Sequence, residues 1–201
     1  MNKKEVDRAI REKFRFRRHD IPPYTGWLKP SSRTDLYDVM NSLGCFKIGA
    51  EIGVMRGVNA LAMLQRIEGS FLNLIDPWTL YGNWKDQEKI DRRYTTTLRR
   101  MGQYSERVNI IKKTSMEAVG DFKDESLDFV YIDGFHEFDA VMSDLIFWVP
   151  KVRPGGIIAG HDYYNFWRAG VVTAVDAYVK GHGIRDWYIT HEATPSFFWV
   201  K

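Results

Sequence analysis

Cysteine, long apolar runs and one well-known glycine signature are what this 201-residue chain has little of or lacks. Its single cysteine, Cys45, cannot form a disulfide within the chain, which fits a reducing compartment and sets a cytoplasmic expectation. The opening MNKKEVDRAIREKFRFRRHD contains no long apolar stretch, so neither a secretory signal nor a membrane span is expected there. The pattern G-x-G-x-x-G, through which a backbone approaches the pyrophosphate of a dinucleotide, does not occur at the chain's glycine turn. No internal repeat or low-complexity segment interrupts the chain. Its length and 44% hydrophobic content suit one domain with one sizeable core.

Charge is unevenly spread. Residues 1–18 hold eight Lys/Arg and three Asp/Glu, a local +5, so the rest of the +3 chain carries −2. A basic arm of this kind suits an acidic partner. Within it, Val6, Ile10 and Phe14 recur every four residues and make one apolar stripe on a charged helix, which favours packing or a lid. Residues 1–30 therefore read as a basic helix followed by a Pro/Gly-broken linker, IPPYTGWLKP, acting as a lid or an interface. Residues 31–201 read as the main domain.

Strands and helices alternate through that domain. FKIGAEIG, FLNLIDPW, RVNIIKKTS, the run Phe129–Ile132 and GGIIAGHDY read as strands, followed by the short DWYIT and SFFWVK. VNALAMLQRIEG, a polar stretch over residues 84–104 with Leu98 and Met101 on one face, AVMSDLIFWVPKV and GVVTAVDAYVKG read as helices. The alternation implies an α/β fold with a mostly parallel sheet covered on both faces.

The strand ends carry the chemistry. In an open parallel sheet, ligands bind beyond the carboxyl ends of the strands. Here those ends are Glu51, Asp76, Ser115, Asp133 and the pair His161-Asp162. Helix capping could account for one polar strand end but accounts poorly for five converging on one rim. At the glycine turn, Gly49-x-x-x-Gly53-x-x-x-Gly57, the carboxylate of Glu51 would repel a dinucleotide's phosphates and attract a cation. Asp76 is placed to accept hydrogen bonds from two ribose hydroxyls. His136 follows Asp133 by three residues, within reach of the same strand tip.

In order, AEIGVMRGVNALAML, LIDPW, DFVYIDGFHEFDAVMSDLIFWVPKVRPGGIIAGHDY and SFFWVK resemble the class I S-adenosylmethionine-dependent methyltransferases. Within that class the chain looks like the bacterial branch of macrolide-sugar and cephalosporin-pathway O-methyltransferases, and more distantly it is similar to catechol O-methyltransferase. The resemblance implies a Rossmann-like, seven-stranded sheet of order 3-2-1-4-5-7-6, its last strand antiparallel, with helices on both faces and an N-terminal helical extension. It implies Glu51, Gly53 and Gly57 as the cofactor turn, Asn59 at the methionine carboxylate, and Asp76 at the ribose. Ser115, Met116 and Phe135 fall on the adenine side.

By the same resemblance, Asp133, His161 and Asp162 hold a divalent metal, Mg or Mn being the first candidates, and His136 is the general base. The first member of the pair at 161–162 is a carboxylate in Mg-dependent relatives. An imidazole there shifts preference toward Mn, Fe, Ni or Zn. The implied activity is metal-assisted O-methylation of a hydroxyl on a small molecule or sugar, with a homo-oligomer as a further partner. Two alternatives stay open: a nicotinamide-dependent oxidoreductase on a similar fold, and a non-catalytic module binding S-adenosylmethionine or nucleic acid. The missing glycine signature counts against the first and the intact Asp133/His136/Asp162 set against the second. His182, His191 and the tryptophans Trp148, Trp167, Trp187 and Trp199 read as structural. The aromatic segment HDYYNFWRAG is expected to line an acceptor pocket or to form a lid.

Overall fold

The computed structural model describes residues 1–14, 31–80, 85–165 and 170–201, with the backbone alone at Tyr24–Thr25. Its sheet contains β1 (Tyr24–Thr25), β2 (Ile48–Ile52), β3 (Phe71–Ile75), β4 (Val108–Ile111), β5 (Leu127–Ile132), β6 (Val152–Gly160), β7 (Trp187–Ile189) and β8 (Phe197–Val200). They lie in the order β1-β7-β8-β6-β5-β2-β3-β4. Counted along the seven longer strands, this is 3-2-1-4-5-7-6, the arrangement that the family resemblance implied. β8 runs antiparallel to both neighbours and every other pair is parallel. The two-residue β1, beside β7 at the edge, is an addition. Two residues are too few to show alternation, so a stretch legible only as a linker hides it.

Side chains alternate across the strands and feed two cores. Phe129 and Tyr131 join Leu72, Leu74 and Phe198 on one face. Val130 and Ile132 join Ile75, Ile158 and Trp199 on the other. α1 (Lys3–Phe14), α2 (Arg33–Leu43) and α3 (Val58–Arg66) bury their apolar stripes in the first core. α6 (Phe138–Trp148) and α7 (Val171–Gly181) bury theirs in the second, together with Ala118 of the one-turn α5 (Ser115–Ala118). α4 (Gln87–Met101) packs through Ile90, Thr97 and Met101. Leu98, expected on that face, is 42% exposed, because the buried stripe runs through 90, 97 and 101 and leaves 98 to one side.

The stripe Val6, Ile10 and Phe14 is fully used in the core. Phe14 packs against Phe198 with ring centroids 5.4 Å apart and the rings tilted, and Tyr188 donates a 3.0 Å hydrogen bond to Asp7. Trp148, Trp187 and Trp199 are buried, and His182 stacks on Tyr178 at 4.2 Å. Trp167 and part of the aromatic segment after β6 lie outside the described residues. Among the described residues no helix is long and apolar enough to cross a membrane.

Register builds the rim. Ile52 pairs with both Ile75 and Ile132, and Ile132 pairs with Gly160. The next residue on each strand therefore leaves the sheet in one row: Asp76, Gly53, Asp133, His161.

Candidate functional site

Two clusters occupy that row. The first is centred on the turn after β2. Gly53 has φ +85°, and a Cβ there would lie 2.0 Å from the carbonyl oxygen of Asp133, so only glycine lets the turn pass this close to β5. Asp76 ties the turn down from the neighbouring strand. Its Oδ2 accepts from the backbone N–H of Val54 at 3.0 Å and of Met55 at 2.9 Å, and its Oδ1 accepts from Trp78 N–H at 2.8 Å. Burial still pushes its pKa up despite these three donors. Each carboxylate oxygen has two acceptor positions, so capacity for further donors remains.

Glu51 is 1% exposed. Its Oε1 accepts from Asn59 Nδ2 at 3.1 Å, and Asn59 Oδ1 accepts from the Tyr37 hydroxyl at 2.6 Å. Its Oε2 is buried and has no hydrogen-bond partner among the described residues. Burial holds the Glu51 carboxyl well above the usual range. An unpartnered buried acceptor of this kind is costly unless a ligand supplies the donor.

Backbone strain marks the same rim. Of the four non-glycine residues with positive φ among the described ones, Met55 (52°), Trp78 (42°) and Asp162 (56°) stand there. The Met55 carbonyl is pinned by Trp78 Nε1 at 2.9 Å and Thr97 Oγ1 at 3.1 Å. On the β4 side, Met116 and Phe135 are 41% and 37% exposed. The hydroxyl of Ser115, expected to face a ligand, instead donates to Asp144 of α6 and accepts from Trp148 Nε1 at 2.7 Å.

The second cluster lies at the tips of β5 and β6. His136 Nε2 is 3.5 Å from Asp133 Oδ1 and 3.2 Å from Asp162 Oδ2. His161 Nδ1 is 3.3 Å from Asp162 Oδ1 and 3.8 Å from Asp133 Oδ2, while its Nε2 is 3.2 Å from Thr194 Oγ1. Burial disfavours the His136 cation, but Asp133 and Asp162 outweigh it and hold its pKa above the ordinary value. Burial pushes Asp133 up. It acts on Asp162 as well, yet His161, His136 and Arg33 outweigh it and hold that carboxyl low. Asp133, His136 and Asp162 offer ligand atoms that all lie within 4.8 Å of one another. This tightest grouping takes in His136, with His161 alongside.

A family model described as a methyltransferase domain matches residues 50–163, more than half of the chain and the span that carries both clusters. The chain belongs to the methyltransferase-domain family. Solved structures share the fold of this methyltransferase domain at low identity. An O-methyltransferase from Bacillus cereus in complex with SAH is 12% identical, with a TM-score of 0.61 over 100% of this chain and 92% of that one. The O-methyltransferase TomG from Streptomyces achromogenes, involved in tomaymycin synthesis and solved with SAM, is 14% identical, with a TM-score of 0.60 over 98% and 88%. Cofactor-bound Rv0187 from MTB is 11% identical, with a TM-score of 0.61 over 98% and 88%. The uncharacterized protein y4gI of Sinorhizobium fredii is 35% identical over 60 residues, 30% of this chain, and the match spans only 7% of that protein's length.

Five residues that shape the site of this methyltransferase domain escape a reading of its sequence: Tyr37, Trp78, Thr97, Asp144 and Thr194. Each comes from another element, 22 to 42 residues from its partner; Tyr37, Thr97 and Thr194 sit in no motif, and Trp78 and Asp144 stand inside motif runs that do not reveal these contacts.

Proposed function

We propose that this methyltransferase domain transfers the methyl group of S-adenosylmethionine to a hydroxyl of a small molecule or sugar, with a divalent metal assisting. The observation that carries the cofactor reading is the buried, unpartnered Oε2 of Glu51 beside the glycine turn. S-adenosylmethionine is a sulfonium with an ammonium group, and that ammonium would supply the missing donor. Asp76, with acceptor capacity left, would take the ribose hydroxyls. Asn59, at the start of α3, and the turn at Gly57 would receive the methionine carboxylate, which a helix N-terminus favours. Ser115, Met116 and Phe135 would border the adenine.

The reaction moves one methyl and one proton. The acceptor oxygen forms a bond to the methyl carbon, the carbon–sulfur bond breaks with its electrons going to sulfur, and the sulfonium becomes a neutral thioether. His136 Nε2 would take the hydroxyl proton, which requires the imidazole to be neutral beforehand. Holding oxygen, carbon and sulfur in line would supply further acceleration.

Two carboxylates with one or two imidazoles fit a divalent ion, and the mixed oxygen and nitrogen donors favour Mn, Fe, Ni or Zn over Mg. Asp133, Asp162 and His161 would hold it. Such an ion, when bound, lowers the pKa of a coordinated hydroxyl. A second assignment is favoured by the tight grouping of Asp133, His136 and Asp162: His136 as ligand and His161 outside the first coordination sphere. Metal titration by calorimetry separates the two. If His161→Ala loses affinity and His136→Ala keeps it, His136 stays the base; the reverse makes it a ligand.

The cofactor reading is tested by calorimetry with S-adenosylhomocysteine. We expect saturable binding by the unmodified protein, and absence of binding would sink the proposal. The motif resemblance supports a sugar hydroxyl of the macrolide type as the first acceptor to try. A cytoplasmic setting and a homo-oligomer belong to the same reading.

A further inference from the structure

Arg33 is a cation that the proposed reaction leaves unused. It is the first residue of α2, an end where the helix dipole favours acids over cations, and it is partly buried. The loop between β7 and β8 fixes its position. Glu192 Oε1 accepts from the Arg33 backbone N–H at 3.0 Å, from Thr190 Oγ1 at 2.8 Å and from Ser196 Oγ at 3.2 Å. The same loop carries Thr194, which reaches His161 of the second cluster. One helical turn on, Tyr37 lies on the same face of α2 as Arg33, packs edge-on against Tyr131 at 6.3 Å between centroids, and reaches Glu51 through Asn59. Arg33 therefore stands between the two clusters, and its charge favours the ionised forms of both Glu51 and Asp162. Yet its guanidinium forms no ion pair among the described residues: Asp162 is engaged by His136 and His161, and Glu51 by Asn59. A guanidinium stays charged, and its planar fork matches two oxygens of a carboxylate or phosphate.

Resting on the methyl-transfer reading above, we propose that Arg33 selects the acceptor by pairing with an oxyanion, a carboxylate or a phosphate, carried on the same small molecule as the hydroxyl that is methylated. Glu51, Asp76, Asp133 and Asp162 line the rim with acid, so an anionic acceptor is repelled unless a fixed cation receives its charge. Arg33 at the edge of that row would also decide which end of the molecule faces inward, the hydroxyl toward His136 and the oxyanion toward α2. It takes no proton and forms no bond to the methyl group; its part is recognition. A neutral analogue of the acceptor would leave the guanidinium without its partner, which is a strong basis for discrimination.

The test is calorimetry on the full chain, chelator-treated and saturated with S-adenosylhomocysteine, with two matched pairs of probes: 4-hydroxybenzoate against 4-hydroxybenzamide, and glucose 6-phosphate against glucose. In at least one pair the charged probe should bind roughly 10–100-fold tighter than its neutral counterpart, the range for a hydrogen bond to a charged group. The pair that shows the preference tells a carboxylate from a phosphate. Arg33→Gln should narrow the ratio to within about threefold, and Arg33→Lys, which keeps the charge and loses the fork, should keep part of it. The backbone N–H that Glu192 accepts survives both substitutions, and thermal unfolding shows that each variant is folded. Equal affinity within both pairs, or no binding of any probe, overturns the proposal while S-adenosylhomocysteine binding leaves the cofactor reading intact. A ratio unchanged in Arg33→Gln means that Arg33 only balances Glu51 and Asp162, and overturns it as well. No binding of S-adenosylhomocysteine by the unmodified protein removes the cofactor reading itself, and this proposal with it.

Discussion

The two halves of the rim are acidic for different reasons. On the side of β2 to β4, Glu51, Asp76 and Asp144 are buried acids with no imidazole beside them, and burial pushes all three pKa values up. At the tips of β5 and β6, Asp133 and Asp162 share their space with His136 and His161, and Asp162 is held low. The first half is held by neutral N–H and O–H donors with acceptor capacity left over, which suits a ligand that brings further N–H and O–H groups. The second half largely neutralises itself, which suits exchange of a proton or an ion. The contrast shows that a row of carboxylates has no single meaning until the groups facing them are known.

The largest effect that would break this division is on turnover. His136→Ala should lower it by roughly 10²–10⁴-fold while S-adenosylhomocysteine affinity stays within about twofold, as a general base loses chemistry and not binding. Steady-state kinetics and calorimetry on the same preparation read both. Comparable losses in both would mean that the halves are not separable. Because the His136 pKa is raised, activity should climb with pH through a value above that of ordinary histidine.

Asp144 sharpens the comparison through stability. Its folded pKa, about 6, lies above the ordinary 3.8. A raised acid binds its proton more tightly when folded, so its contribution is fully present below the ordinary value and is lost as pH rises toward 6. The span corresponds to about 3 kcal/mol at most. Denaturation across that window should show stability falling in the unmodified protein relative to Asp144→Asn. Parallel curves would mean that the carboxyl is not shifted.

Asp76→Ala should weaken S-adenosylhomocysteine by about 1.5–3 kcal/mol, the share of hydrogen bonds to a charged group. It should also lower thermal stability, since three backbone N–H groups of the turn lose their acceptor. Metal affinity should be unchanged, and a parallel loss of metal binding would join the two halves.

The smallest effect concerns Glu51. Burial raises its pKa in the free protein, and an ammonium group would favour its ionised form. Binding should therefore release a proton and tighten as pH rises, by at most about 1.4 kcal/mol per pH unit. Calorimetry in buffers of different ionisation enthalpy measures the release, and none would place the ammonium elsewhere.

The N-terminal helix follows one of its two expected uses. Its apolar stripe was legible as packing or a lid, and Val6, Ile10 and Phe14 pack in the main core, so deleting residues 1–20 should uncover Tyr188 and Phe198.

Local order in the sequence was enough for the strand–helix alternation, the glycine turn, and the polar residues at the five strand ends. Each depends on neighbours within a few positions, where period, turn chemistry and motif spacing act directly. Which acid meets which partner was decided only in three dimensions. The link from Tyr37 through Asn59 to Glu51, the clasp of Trp78 and Thr97 on Met55, and the path from Trp148 through Ser115 to Asp144 all join separate elements. Register then set Gly53, Asp76, Asp133 and His161 side by side. A carboxylate's pKa and its free lone pairs depend on what lies within a few ångströms in space, and distance along the chain does not encode that.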